Sequence, residues 1–425
     1  MNIFLEKVSS CVWGGGLIFL LLFTGIIYTI KLGLIQFRMI PFLVKNSRKD
    51  KNKNSGISQF KTVCMSLGTA MGTGNITGVA AAVSIGGAGA VFWMWISAFL
   101  GMAIVYAENS LSVIYSSKEE RGPMAYLEKG LGSRLLASVF AFMCIAACFG
   151  MGGMVQVSSF IDSLGNCINL NRNIAAIASF MLIYIVISGG ASRIGIAAQA
   201  LLPIASVIYA IVSAIVLIKY KEHIPVVFKD IFLQAFGIRQ AVGGTAGYTV
   251  SKAVSIGIRR GIFSNEAGLG SSPILHSAAE SNSPQLQGMW SMFEVFFDTI
   301  VCCSLTAFVI LCAAPDFSLN TAFSTVLGKG TPLFLSVEMA VFAFCTIIGW
   351  YYCGETAYRY ISKKTSCKKL CIIFAAASSM GAILHLQTIW TLSDIFNGLM
   401  AIPNLLGLLL LIKKVRPANK NQVLK

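Results

Sequence analysis

The chain is divided into runs of about twenty predominantly apolar residues, which are separated by short polar connections. A helix of that length spans the hydrocarbon core of a bilayer, because it rises about 1.5 Å per residue and the core is roughly 30 Å thick. Only 12% of the 425 residues are charged, whereas about a quarter are charged in water-soluble proteins. We therefore predict an all-α polytopic membrane protein in which residues 1–425 form a single transmembrane domain.

Eleven runs are long enough to be predicted as transmembrane helices, numbered here as spans 1 to 11. They cover residues 14–36, 60–84, 90–115, 135–161, 173–189, 196–218, 236–258, 288–313, 332–358, 370–387 and 392–412.

Lysine and arginine in the connections orient these spans, because basic residues are retained on the cytoplasmic side. The connection after span 1 and every second connection that follows are rich in them, and so is the C-terminal tail; Lys252, Arg259 and Arg260 are assigned to one of these connections. The pattern predicts a cell-membrane protein with its N-terminus outside and its C-terminus in the cytoplasm. Since the basic residues are dispersed rather than clustered on one polar face, the net charge of +16 indicates no nucleic-acid partner.

Two predicted spans carry clusters of glycine near their middle. Span 2 contains SLGTAMGTGNITGV and span 7 contains AVGGTAGYTV. Glycine costs about 1 kcal/mol relative to alanine inside a helix, so we predict that both helices unwind at these strings. The alternative is close helix packing, since Gly74 and Gly78 form a GxxxG pair. The glycines concerned are Gly68, Gly72, Gly74 and Gly78 in span 2 and Gly243, Gly244 and Gly247, around Thr245, in span 7.

A helix interruption inside a membrane predicts a binding site, because irregular backbone is tolerated there only beside protein or a water-filled cavity. The freed N–H groups suit a carboxylate and the freed carbonyls suit a small cation. Spans 2 and 7 are five apart and so run in opposite directions. We therefore predict an extra N-terminal helix and basic loop in residues 1–56, followed by two inverted five-helix repeats in residues 57–222 and 223–415. Paired interruptions of this kind are typical of secondary transporters.

The sequence offers little support for an enzyme. The three histidines, His223, His276 and His385, are widely separated, and the chain contains no HExxH or GxSxG string.

Four motifs resemble signatures of the alanine or glycine:cation symporter family, the sodium:alanine symporters. They are GTGNITGVAAAVSIGGAGAVFWMW, GIRRGIFSNEAGLGSSP, FAFCTIIGW and DIFNGLMAIPN, in order along almost the whole chain. The resemblance implies a leucine-transporter-type inverted-repeat fold and uptake of alanine or glycine with co-transported Na⁺. Alternatives are symport of glutamine or another small neutral amino acid, coupling to protons, or, from another class, a passive channel or a ligand-binding membrane receptor.

The resemblance also implies which residues contact the substrate. The carboxylate meets the unwound part of span 2, a glutamine in span 4 orients the amino group, span 7 completes the pocket, and a tryptophan in span 9 forms an apolar wall. The matching residues are Gly72, Thr73, Gly74, Asn75, Gln156, Thr245 and Trp350.

For sodium, the same resemblance implies carbonyls near Thr69 and Gly72 together with the hydroxyl of Thr346. The family commonly has a serine where this chain has Cys345. A thiol sulfur is a soft and therefore poor ligand for sodium. The number of side-chain ligands for sodium therefore depends on whether Cys345 takes part.

Ionisable residues inside the spans are candidate functional groups, because an unpaired charge in lipid is costly. Glu266 is predicted to form an inner gate through an ion pair with Arg259 or Arg260, or else to anchor a loop. Glu294 and Asp298 are one turn apart on span 8 and form either a coupling-ion or proton site or part of the scaffold.

Four further polar residues complete the candidates. Asp394 and Asn397 lie near the predicted start of span 11 and are predicted to cap that helix. No role is predicted for Glu108 or Glu338.

Overall fold

The computed structural model describes residues 2–46, 57–117, 120–165, 167–168, 170–237, 246–279, 283–364, 367–384 and 386–418. Helices account for nearly all of these residues, and the described part contains one isolated bridge, between Ile57 and Ala279, in place of a sheet. The prediction of an all-α chain is confirmed.

Twenty α-helices follow one another in the described part of the chain. The first ten are α1 (Asn2–Val12), α2 (Gly15–Lys31), α3 (Met39–Asn46), α4 (Gln59–Ala70), α5 (Thr77–Gly86), α6 (Gly89–Tyr115), α7 (Gly122–Ala125), α8 (Arg134–Ala147), α9 (Val155–Gly165) and α10 (Arg172–Ile187). The others are α11 (Gly190–Lys219), α12 (Ile224–Ala235), α13 (Ala246–Asn265), α14 (Ser272–His276), α15 (Pro284–Val295), α16 (Ser304–Ala313), α17 (Leu319–Leu327), α18 (Thr331–Ser362), α19 (Lys368–Met380) and α20 (Leu386–Leu410).

Seven stretches of helix in the described part are long and apolar enough to cross a membrane. They are Phe4–Lys31, Gly89–Tyr115, Arg134–Gly165, Gly190–Lys219, Pro284–Ala313, Leu319–Ser362 and Thr388–Leu410. Of the remaining predicted spans, the fifth corresponds to the shorter apolar helix α10 and the tenth to α19. The protein is thus an all-helical polytopic membrane protein.

Wide π-helical turns interrupt the regular winding of two long helices. The segment Cys148–Met154 joins α8 to α9, and the segment Phe296–Cys303 joins α15 to α16. A π turn shifts the direction of the side chains that follow it, and such turns are frequent at functional sites. Both segments lie against the interior and bring Met151 and Asp298 into the core of the bundle.

The predicted interruption of span 2 is confirmed. Helix α4 ends at Ala70, Gly72 is extended with φ −97° and ψ −156°, and residues Thr73–Asn75 form a single 3-10 turn before α5 starts at Thr77. We call residues 71–76 the first break. Its backbone is covered by protein, as irregular backbone at membrane depth must be.

The predicted interruption of span 7 lies mostly outside the described residues, which omit Gly243, Gly244 and Thr245; Gly247 belongs to the first turn of α13. A further interruption follows in the described part, where α13 ends at Asn265 and α14 begins at Ser272. We call residues 266–271 the second break. Gly268 and Gly270 both have φ +86°, a conformation that glycine adopts without steric cost, so the glycines of NEAGLGSS are the ones that stop this helix.

The longer reach of α13 also corrects the placement of three basic residues. Lys252, Arg259 and Arg260 were predicted in a cytoplasmic connection, but all three lie within α13. The string GIRRGIF looked like a loop because two arginines follow each other. Its apolar residues Ile258 and Ile262 are nevertheless four apart and buried, which is the spacing of a helix.

The packing brings the two breaks together. Helix α13 packs along both α5 and α6, and α6 packs on its other side against α15. Helix α18 lies against α4, α8, α9 and α11, so its middle faces the end of α4. The broken helices therefore meet in the interior of the bundle, with α18 and the π-helical segments on either side.

Candidate functional site

The two breaks are joined by a buried carboxylate. Asn75, in the first break, donates a hydrogen bond of 2.6 Å from Nδ2 to Asp298 Oδ1. Ser264, just before the second break, donates to Asp298 Oδ2 at 2.7 Å and approaches Asn75 Oδ1 at 3.1 Å. Thr299 donates to the same carboxylate oxygen at 2.9 Å. We call Asn75, Ser264, Asp298 and Thr299 the carboxylate cluster; it offers several hard oxygen atoms of the kind that bind small cations.

Gln156 holds the first break from the opposite side. Its Oε1 accepts hydrogen bonds from the backbone N–H and the hydroxyl of Thr73, both at 3.2 Å, and its Nε2 donates to the carbonyl of Met151 at 3.2 Å. A Cβ atom at Gly72 would lie 2.9 Å from Gln156 Oε1 and 2.9 Å from Thr346 Oγ1. Gly72 therefore allows the backbone to pass between these two side chains.

The residues implied for sodium lie close together around the end of α4. Thr346 donates from its hydroxyl to the carbonyl of Gly68 at 2.9 Å, and Thr69 donates to the carbonyl of Met65 in its own helix at 2.6 Å. Cys345 is buried, and a Cβ atom at Gly68 would lie 3.1 Å from its Cβ. The site thus offers the Thr346 hydroxyl and backbone carbonyls, with a sulfur at its edge.

Trp350 and Glu266 form a contact that the sequence did not indicate. The indole N–H of Trp350 donates to Glu266 Oε1 at 2.8 Å, and Ser271 donates to Glu266 Oε2. Both residues are buried, and a methyl group at Gly152 would overlap Trp350. Trp350 is therefore fixed between a π-helical segment and the second break.

The predicted ion pair between Glu266 and an arginine is wrong. In the part of the chain that the structure describes, Arg259 pairs with Asp394 at 3.0 Å, and neither Arg259 nor Arg260 pairs with Glu266. Glu266 follows the last turn of α13 with φ +55°, which turns its side chain into the bundle and away from the arginines.

The predicted helix cap at Asp394 and Asn397 is wrong for a related reason. Helix α20 begins at Leu386, so both residues lie inside it rather than at its start. Asp394 receives the ion pair from α13, and Asn397 is fully buried. The polar residues near the end of an apolar run suggested a boundary, but tertiary partners keep them within the helix.

A cavity of about 720 Å³ opens on one side of the first break. Its lining comes from α5, α9, α13, α17, α18 and α20 and includes Ile76, Asp162, Arg260, Met339 and Trp390. Phe263 stacks on Trp390 with ring centroids 5.0 Å apart, and Arg260 lies over Trp390 at 5.3 Å. A Cβ atom at Gly74 would lie 3.4 Å from Phe263, so the stacked pair lies against the first break, whose last residue, Ile76, lines the cavity.

Glu294 lies one turn from Asp298 but belongs to a different network. It accepts a hydrogen bond of 2.6 Å from Ser66 of α4 and contacts His276 Nε2 of α14 at 2.9 Å. Glu294 and Asp298 do share a face, since both are directed at the span that contains the first break. Glu294 therefore links α15 to α4 and α14, which is the kind of contact expected of the scaffold alternative.

Glu108 and Glu338 are also buried. Asn404 donates both to Glu108 and to the carbonyl of Gly268 in the second break, the latter at 2.9 Å. Glu108 therefore supports the second break through one intermediate residue. Glu338 lies in α18, and its Oε2 has no partner among the described residues.

The sequence missed the central position of Asp298 and Ser264. A carboxylate inside a predicted span was a usable signal for Asp298, since such groups are costly in lipid and are commonly functional. No signal singled out Ser264, because serine is ordinary in membrane helices. Thr245, implied as part of the pocket, lies outside the described residues.

Comparisons with known proteins agree along the whole chain. A family model described as the sodium:alanine symporter family matches residues 1–422. The sodium/alanine symporter AgcS of Methanococcus maripaludis is 37% identical, over 96% of this chain and 94% of that protein. The probable sodium/glutamine symporter GlnT of Bacillus subtilis is 36% identical, over 97% and 89%. An uncharacterized transporter of Haemophilus influenzae is 38% identical, over 98% and 95%.

One solved structure is similar in fold. It is the crystal structure of the Eremococcus coleocola manganese transporter in complex with an aromatic bis-isothiourea substituted compound. The TM-score is 0.58 with 13% sequence identity, and the match covers 86% of this chain and 81% of that chain. At this identity the comparison supports the fold alone.

Proposed function

This chain belongs to the sodium:alanine symporter family, and from that premise we propose that it couples sodium influx to the uptake of a small neutral amino acid, alanine or glycine, by alternating access. As a member of this family it is a transporter and not an enzyme. The observation that carries the proposal is the meeting of two interrupted helices at a buried polar site, with Asp298 bonded to both sides of the junction.

The substrate carboxylate is proposed to bind at the first break. Thr73–Asn75 stand just before the start of α5, where the helix dipole places partial positive charge. Gln156 already accepts a hydrogen bond from the N–H of Thr73, so in this proposal it stabilises the conformation of the break and also contacts the substrate. Trp350, buried beside Gly152, supplies a rigid apolar wall that favours a small side chain.

Sodium is proposed to bind beside the same break. The hydroxyl of Thr346 and the carbonyls near Thr69 and Gly72 form one group of oxygen atoms, and the carboxylate cluster forms another that adds a negative charge. Both groups contact the first break. An ion that orders this backbone also orders the groups that hold the substrate carboxylate, so each ligand raises the affinity for the other.

The proposed architecture is eleven spans in two inverted five-helix repeats, residues 57–222 and 223–415, after an N-terminal helix in residues 1–56. With the N-terminus outside, α5 ends at the outer surface and the cavity of about 720 Å³ faces outward. The stacked side chains of Phe263, Trp390 and Arg260 would then form the outer closure, supported by the Arg259–Asp394 pair.

Flux measurements test this proposal. Purified protein in liposomes is given labelled alanine, glycine and glutamine under an inward gradient of sodium or of choline. We expect accumulation of alanine or glycine above the outside concentration in sodium only. Equilibration without accumulation would indicate a passive channel, and binding without flux a receptor. Accumulation driven by an imposed proton gradient in choline would show that protons, not sodium, are the coupling ion. Preferential accumulation of glutamine would show that glutamine, not alanine or glycine, is the substrate.

We predict that Thr346→Val weakens sodium dependence. Valine keeps the shape of threonine but removes the hydroxyl that reaches the first break, so the sodium concentration for half-maximal uptake should rise about tenfold. The matched control is Thr356→Val on the same helix, whose hydroxyl bonds only to the carbonyl of Tyr352 one turn earlier. If uptake depended on sodium concentration in the same way in both variants, Thr346 would not be a sodium ligand.

We also predict that Trp350→Phe lowers uptake about tenfold, because the variant leaves Glu266 without its indole donor and removes part of the pocket wall. Trp290→Phe is the control, since Trp290 Nε1 has no partner among the described residues and its loss breaks no hydrogen bond. Initial rates of alanine and glycine uptake in liposomes measure the effect. Similar rates for both variants would exclude Trp350 from the site.

A further inference from the structure

Asn397 is a buried amide that the architecture does not require. It lies near the middle of α20 (Leu386–Leu410), where its backbone is within the helix and its side chain cannot cap an end. Its relative exposure is 0%. A leucine or methionine would fill such a position without removing polar atoms from water, so the presence of an amide needs another reason.

The amide has poor partners. Its Nδ2 lies 2.6 Å from the sulfur of Met151, and a thioether is a weak acceptor. Its Oδ1 has no hydrogen-bond partner in the described part of the chain. A buried carbonyl oxygen without a donor is unfavourable, and such groups in native proteins commonly meet a water, an ion or a ligand that the protein binds.

Asn397 is linked to the proposed substrate site through Met151. The sulfur of Met151 contacts Asn397, and the carbonyl of Met151 accepts a hydrogen bond from Gln156. Gln156 in turn accepts a hydrogen bond from the backbone N–H of Thr73 in the first break. At the other two amides, Gln156 Oε1 accepts from Thr73, and Asn75 Oδ1 lies 3.1 Å from the Ser264 hydroxyl, whose single proton is directed at Asp298. Of these three amides, Asn397 is the one whose oxygen has no polar neighbour within hydrogen-bond distance among the described residues.

We propose that Asn397 Oδ1 accepts a hydrogen bond from the ammonium group of the bound amino acid. This inference rests on the proposed function. The first break supplies N–H groups for the carboxylate, whereas an ammonium group carries three donors and needs acceptors. Asn397 therefore complements the break: it completes the recognition of a zwitterion from α20, a helix outside both breaks.

The test compares two substitutions at this position in the full-length protein. Asn397→Leu keeps the branched shape and the number of side-chain heavy atoms and removes the acceptor, whereas Asn397→Asp keeps an acceptor in the same place. We expect Asn397→Leu to weaken alanine binding in sodium by about tenfold to a hundredfold, as loss of a hydrogen bond to a charged group does, and Asn397→Asp to stay within a few-fold of wild type. Equilibrium binding of labelled alanine to purified protein measures both.

Asn109→Leu is the matched control, because Asn109 is also fully buried with an unpartnered Oδ1 but lies on α6 against α14. It should bind alanine like wild type, and thermal unfolding of all variants checks that they are folded. Unchanged alanine binding by Asn397→Leu would overturn this inference but not the proposed function. Loss in both Asn397 variants would overturn the acceptor role. A folded wild type that binds no amino acid in sodium would overturn the proposed function itself.

Discussion

Gly72→Ala is expected to reduce sodium-driven alanine uptake at least tenfold while the protein still inserts and folds. The added methyl group would lie 2.9 Å from both Gln156 Oε1 and Thr346 Oγ1, closer than such atoms can approach. Both side chains can rotate away, but each then leaves its hydrogen bond, to Thr73 and to the carbonyl of Gly68. Two hydrogen bonds at about 1 kcal/mol each are worth about one to two powers of ten in an equilibrium constant.

The matched control for this variant is Gly78→Ala in the same span. A Cβ atom at Gly78 has nothing within 4 Å, and Gly78 lies in the first turn of α5, where alanine is the better helix former. Uptake by Gly78→Ala should equal that of wild type. If both alanine variants transported normally, the close approach at Gly72 would have no part in transport; if both failed, span 2 would simply not tolerate larger residues.

Asp298→Asn is expected to weaken sodium-driven uptake strongly, with little change in stability. The amide has the shape of the carboxylate, so Asn75 can still donate to its oxygen, and the hydroxyls of Ser264 and Thr299 can rotate to accept from its NH₂ group. What is lost is the negative charge between the two breaks. Because contacts with charged groups are stronger than neutral ones, we expect sodium-driven uptake to fall about tenfold to a hundredfold.

Glu338→Gln provides the comparison for that experiment. Glu338 is another buried carboxylate inside the bundle, but it lies on α18 and one of its oxygens has no partner in the described residues. Its neutralisation should leave the sodium dependence of uptake unchanged. Measurement of initial uptake against sodium concentration separates the two variants, and a normal sodium curve for Asp298→Asn would show that its charge is not needed for coupling.

The sequence was informative about the first break because all the signals there are local. Four glycines lie within eleven residues, and Asn75 stands among them at a depth where close helix packing needs no amide. The structure ends α4 at Ala70 and starts α5 at Thr77, inside the predicted string. The same local reasoning identified the long apolar helices, since their length is set by the bilayer.

Local reasoning did not identify the second break, after Asn265. AVGGTAGYTV and NEAGLGSS are both rich in glycine, and nothing within either string shows which one faces the centre of the bundle. The decision depends on neighbours far away in the chain: Trp350 and Asn404 bind the break after Asn265, with hydrogen bonds to Glu266 and to the carbonyl of Gly268.

By itself, the sequence determined that this chain is a helical membrane protein with an unwound span, because hydrophobic length and glycine content act within a single segment. Only the tertiary structure decided which polar residues meet. Asp298 joins the two breaks, Arg259 pairs with Asp394 rather than Glu266, and Asn397 contacts Met151. The physical reason is that a buried charge or amide takes its partners from other helices, and the helix packing that supplies them is a property of the whole bundle.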